Sequence, residues 1–118
     1  MTDGTPNLIF RDPATFEEIS RIPVTLNGED VFNLNETECV NGEVWANIWL
    51  TSQIVRIDPA TGAVTATVDA EALVQDSGAN AAAGAVLNGI AWDSLNGSFL
   101  VTGKLWPTLY RVNFVAAG

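Results

Sequence analysis

The chain has 118 residues, 14 of them acidic and 5 basic, with no histidine and a formal net charge of -9. That length suits one domain with one core, and the charge repels phosphate backbones and anionic lipid, so neither nucleic acid nor a membrane is an expected partner. The lone cysteine, Cys39, rules out an internal disulfide, and the missing histidines rule out Ser-His and Cys-His catalysis and leave a zinc ion little but carboxylates, so no metal and no cofactor is expected.

From the amino terminus, the residues before Pro6 are polar, and no apolar run approaches the roughly 20 residues a membrane span needs. No export signal is read in the chain. Apolar and polar residues then alternate in short runs, which predicts strands at 8–11, 17–24, 34–40, 43–49, 54–58, 63–69, 87–93, 98–104 and 109–114. Hairpin chemistry separates them: Asn41-Gly42, Asn96-Gly97, and Asp58-Pro59-Ala60-Thr61-Gly62, where proline presets one torsion and glycine takes a positive one. Residues 70–86, rich in alanine and glycine, read as a loop between sheets with room for one short helical turn capped by Asp69.

An internal repeat organises these strands. Asp12-Pro13-Ala14-Thr15 recurs as Asp58-Pro59-Ala60-Thr61, 46 residues on, about the length of one four-stranded propeller blade. In a second register Leu34-Asn35 matches Leu87-Asn88 at an offset of 53, while Asn41-Gly42 matches Asn96-Gly97 and residues 54–57 match 109–112 at an offset of 55. The expected fold is therefore all-β, a partial propeller made of four-stranded antiparallel meanders. It divides into a half-blade at 1–30, a full blade at 31–69, a loop at 70–86 and an incomplete blade at 87–118.

Three strings carry a resemblance: Asn41-Gly42-Glu43-Val44-Trp45-Ala46-Asn47, Leu87-Asn88-Gly89-Ile90-Ala91-Trp92 and Thr102-Gly103-Lys104-Leu105-Trp106-Pro107. They resemble the plant and bacterial glutaminyl-peptide cyclotransferases, five-bladed propellers also called glutamine cyclotransferases. The likeness runs along essentially the whole chain and corresponds to the carboxy-terminal half of a family member. It implies conversion of an amino-terminal glutamine to pyroglutamate with release of ammonia and without a metal at the reacting centre, acting on peptides or proteins that begin with glutamine. The family's acidic proton relay and part of its aromatic pocket lie upstream of the matched half, and its members are often secreted or periplasmic.

By the resemblance, Asn35, Trp49 and Lys104 match active-site positions: Asn35 as an amide partner of the substrate, Trp49 as a flat apolar wall, and Lys104 as a cationic donor. The repeat groups them independently, since Trp49 superposes on Lys104 at an offset of 55 and Asn35 on Asn88 at 53. Asn88 joins the substrate-binding candidates, and Glu36 is a possible substitute carboxylate. By period 2, Glu36 and Glu38 lie on the face opposite Asn35, whereas Cys39 shares its face and is expected buried. Trp45, Trp92 and Trp106 read as packing.

Two classes of function stay open: a cyclotransferase completed by a second copy or by the missing half, and a catalytically inactive propeller fragment acting as an oligomeric or binding module. A calcium-dependent lactonase-type propeller finds thin support in Asn35 and Asn88 alone. The half-blade and the incomplete blade leave unpaired edges, from which a homodimer is expected, with an apolar interface centred on Ile9, Ile22, Tyr110 and Val112.

Overall fold

The computed structural model describes residues 5–78 and 87–114. Its framework is a series of antiparallel sheets taken in chain order. A two-stranded sheet pairs β1 (Asn7–Arg11) with β2 (Glu18–Pro23), and a short hairpin of β3 (Thr25–Leu26) and β4 (Glu29–Asp30) follows. The central four-stranded sheet runs β5 (Leu34–Val40), β6 (Glu43–Ile48), β7 (Gln53–Ile57), β8 (Val64–Asp69), and a helix, α1 (Glu71–Ser77), leads away from it. A three-stranded sheet of β9 (Leu87–Asp93), β10 (Ser98–Gly103) and β11 (Tyr110–Val112) ends the described chain. The molecule is thus all-β, a partial propeller, as the repeat predicts.

Each face of the central sheet buries its own core. Strand alternation sends Leu34, Val44, Ala46, Val55 and Ile57 to one side, where they meet Leu8 from the first sheet and Val24 from the link between β2 and β3. It sends Val40 and Ile54 to the other, against Leu87, Ile90, Phe99 and Val101. Trp45, Trp92 and Trp106 pack against this second core, and Phe99 touches both Trp45 and Trp92 at ring-centroid distances of 4.9 Å. Their expected packing role is borne out.

The two copies of Asp-Pro-Ala-Thr form the same turn. Asp12 Oδ1 accepts from Ala14 N–H at 2.8 Å and Asp58 Oδ1 from Ala60 N–H at 2.9 Å; each aspartate's own N–H reaches five residues on, to Glu17 O and Ala63 O, both at 2.9 Å. The turn ends on a positive φ, 63° at Phe16 and 78° at Gly62. Glycine is required only in the second copy, because a Cβ at Gly62 would lie 1.9 Å from the Pro23 carbonyl oxygen.

Several expectations are corrected. The short hairpin β3–β4 was not expected; it turns on Asn27-Gly28 (φ 53° and 83°), the same pairing of positive torsions found at Asn41-Gly42. The Asn96-Gly97 hairpin is wider, since Gly97 alone carries a positive φ there and its N–H closes on Asp93 O at 2.9 Å. Residues 71–77 form a full helix capped at Ala70 in place of Asp69, although Asp69 Oδ1 still accepts from Glu71 N–H at 2.9 Å. The remainder of the predicted loop, 79–86, lies outside the described residues. Cys39 is exposed. It shares the sheet face of Val44, its cross-strand partner, but β5 is the edge of its sheet, with no further strand paired beyond it among the described residues. Of the expected interface residues, Ile9 is 3% exposed, and Ile22 and Val112 pack on the chain's own cores.

Candidate active site

The second strand of each blade leaves its sheet through the same corner. After Ile48 the chain turns through Trp49 and Leu50, and Thr51 N–H donates to Ile48 O at 3.1 Å; after Gly103 it turns through Lys104 and Leu105, and Trp106 N–H donates to Gly103 O at 3.1 Å. Leu50 and Leu105 hold φ of 68° and 63°. A turn with a positive φ at its third residue normally places glycine or asparagine there, and a branched residue costs about 1–3 kcal/mol. Such strain gathers at functional sites. Trp49 stands 43% exposed, and Lys104 is exposed as well, so neither corner side chain belongs to the core.

The inner strands repeat a second irregularity. In the central sheet Leu34 pairs with Ile48 and Thr37 with Ala46, so Asn35 and Glu36 together oppose Asn47. In the next sheet Leu87 pairs with Gly103 and Ile90 with Val101, so Asn88 and Gly89 together oppose Thr102. These are β-bulges, which bend a strand and re-aim its side chains. The bulge also ends the period-2 argument: alternation counted from Asn35 does not carry across to Glu38 and Cys39. Glu38 pairs with Trp45 and turns toward the next blade, where its Oε2 accepts from Trp92 N–H at 3.1 Å.

Pairing fixes which end of each blade carries these groups. Leu34 opposite Ile48 sets the Asn35–Glu36 bulge beside the Trp49 corner, where Trp49 N–H donates to Asn33 O at 2.8 Å. Leu87 opposite Gly103 sets Asn88 beside Lys104 in the same way. The two ends adjoin, because β5 packs on β9 and Asn47 Oδ1 accepts from the Gly89 N–H at 3.0 Å. Asn35, Glu36, Trp49, Asn88 and Lys104 therefore lie on one rim. Within it Glu36 is exposed, while Asn35 and Asn88 are half-buried. What relates Trp49 to Lys104 is the repeat.

Sequence reasoning missed Asn47. It is fully buried, and among the described residues its Nδ2 is a buried donor with no hydrogen-bond partner, as Asn88 Oδ1 is a buried acceptor with none. The available signal was an amide interrupting the apolar run Val44-Trp45-Ala46-Asn47-Ile48-Trp49.

A blade-repeat architecture with bulged inner strands and strained corners gathered on one rim defines a partial β-propeller with a polar, aromatic rim. The chain belongs to the glutamine cyclotransferase family, whose model matches residues 1–114. It is similar to a glutaminyl-peptide cyclotransferase of Arabidopsis thaliana, 41% identical over 117 residues that make up 98% of this chain and 37% of that protein. It is also similar to the crystal structure of Myxococcus xanthus glutaminyl cyclase, with 43% identity, a TM-score of 0.89, and coverage of 95% of this chain and 49% of that one. The chain thus spans less than half the length of either relative.

Proposed function

We propose that this chain forms the rim of a glutaminyl-peptide cyclotransferase that becomes complete with a second copy of itself or with the other half of the ring. The reaction is an intramolecular aminolysis. The substrate's free α-amine attacks its own side-chain carbonyl, a carbon–nitrogen bond closes the five-membered ring, and the original amide bond breaks. The proton lost by the attacking amine leaves with ammonia. The amine's ordinary pKa is roughly 7.7 to 8.0, so free base is available near neutrality and the residual barrier lies in alignment and in charge on the carbonyl oxygen.

The assigned roles follow from these needs. Lys104 donates to the oxyanion as it forms, Asn35 holds the reacting carboxamide, and Trp49 supplies a flat wall for the apolar part of the glutamine side chain. Asn88 contacts substrate from the neighbouring inner strand, and the exposed Glu36 is the carboxylate nearest Asn35 in sequence. The single observation behind the reading is that Trp49 and Lys104 occupy the second position of two matching strained corners. A fold does not need a tryptophan and a lysine there, and both are turned out of the core.

The test is ammonia release from a short peptide beginning with glutamine. Lys104→Met keeps side-chain length and removes the charge; it is expected to lower kcat about 100- to 1000-fold, as loss of one oxyanion donor does elsewhere, with little change in KM. Trp49→Ala is expected to raise KM. An unchanged rate for Lys104→Met would remove Lys104 from the site, and a wild-type chain that releases no ammonia either alone or mixed with the other half of the ring would favour the binding-module reading.

A further inference from the structure

We infer that Asn47 is a positioning residue for this site, holding the Trp49 corner and the Lys104 corner in one fixed relation; the inference rests on the cyclotransferase reading. Four observations converge on it. Asn47 lies two residues before Trp49 on β6, directly opposite the Asn35–Glu36 bulge. Its Oδ1 accepts from Gly89 N–H at 3.0 Å, and Gly89 belongs to the bulge of the next blade, opposite Thr102, which lies two residues before Lys104. Asn47 therefore belongs to one half of the rim through its strand and reaches the other through its carboxamide.

The third observation is the repeat itself. At the offset of 55 the counterpart of Asn47 is Thr102, whose hydroxyl donates to Thr108 O within its own blade. The meander folds with threonine at this position, so strand pairing does not explain the amide. The fourth is the orphaned Nδ2. A buried donor without a partner, as Nδ2 is among the described residues, costs about 1–3 kcal/mol, which a threonine or an aliphatic residue would avoid. A residue that is unfavourable for the core, dispensable to the unit and placed on the joint between two parts of a site acts through what it aligns. The second polar tie between the blades, Glu38 to Trp92 N–H, lies further along β5 and β9 from the rim and steadies the joint without setting the corners.

The effect belongs on turnover. A shift of about 1 Å in a reacting group costs on the order of 100-fold in rate, because transition-state alignment is far less tolerant than ground-state binding. Asn47→Thr introduces the residue that the repeat already accommodates, and Asn47→Asp keeps an oxygen where Oδ1 accepts. Both would be compared with wild type by amide hydrogen exchange at Gly89 and by steady-state kinetics on a glutaminyl peptide. For Asn47→Thr the expected result is at least ~10-fold faster exchange at Gly89, a kcat lower by ~10- to 100-fold and a KM within ~3-fold, with Asn47→Asp restoring much of the Gly89 protection. Unchanged exchange in Asn47→Thr would overturn the inference, and so would faster exchange with unchanged kcat, which would leave Asn47 as packing. A wild-type chain that stays inactive both alone and when mixed with the other half of the ring would sink the cyclotransferase reading, and the Gly89 exchange would then decide alone whether Asn47 holds the joint.

Discussion

Leu50 and Leu105 isolate a question that a single side chain can answer. Each occupies left-handed backbone and points largely into solvent, so little packing repays the strain. Leu105→Gly is expected to raise stability by about 1 kcal/mol, the relief of the torsion exceeding glycine's extra freedom in the unfolded chain. A denaturation midpoint that falls would show that Leu105 holds the corner through contacts. Gly62 is the opposite case, for its torsion is positive and the Pro23 carbonyl fills the space a side chain would need. Gly62→Ala should destabilise by about 2–4 kcal/mol, whereas Phe16, at the equivalent place in the first copy of the turn, shows that the torsion alone is survivable.

Among elements, the β9–β10 turn has a pH signature. Asp93 accepts from the Asn96 side chain at 2.8 Å and from Arg111 at 2.7 Å, and these bonds, the Asn96 bond foremost, bring its carboxyl down from 3.8 to about 2. A folded value below the unfolded one contributes stability that is fully present above 3.8 and is lost as pH falls toward about 2. Asp93→Asn should therefore lower the urea midpoint at pH 5 more than at pH 2, and an equal loss at both would exclude this origin. The same arginine position shows why elements were legible in the sequence. Arg56 bonds Glu43 at 2.9 Å across the central sheet, and Arg111 reaches Ser98, the counterpart of Glu43, at 2.9 Å; identical offsets imply identical pairings. Hairpins signalled by Asn41-Gly42 and by the two Asp-Pro-Ala-Thr turns were readable because the turn residues sit between alternating runs. The β3–β4 hairpin was not, since strands two residues long show no period. Nor were the bulges, which leave no mark in composition yet decide where Asn35, Glu38 and Cys39 face. Of the site, the corners could be read from the repeat, but Asn47 acts between blades, and a repeat reports only what happens within one.

For the whole molecule, β1 pairs only with β2 and β11 only with β10 among the described residues, which leaves a backbone edge at each end of the arc. Unpaired edges invite another strand, and a two-fold operation on two copies would cover both ends at once. We propose a homodimer joined through strand edges, with Ile9 already committed to the chain's own interior. Sedimentation should give twice the chain's mass. A folded monomer at high micromolar concentration, with sharp thermal unfolding, would rule this assembly out.

The matching corners after β6 and β10 have one more consequence. The backbone there is held by a carbonyl, an amide and a leucine's torsion, none of which depends on the side chain at the second position. Tryptophan in one blade and lysine in the next are therefore two fittings in the same socket. Chemistry at this rim can be exchanged, residue for residue, without renegotiating the fold that presents it. Two blades of one plan thus present the same mounting point, and only the residue at its second position sets one apart from the other.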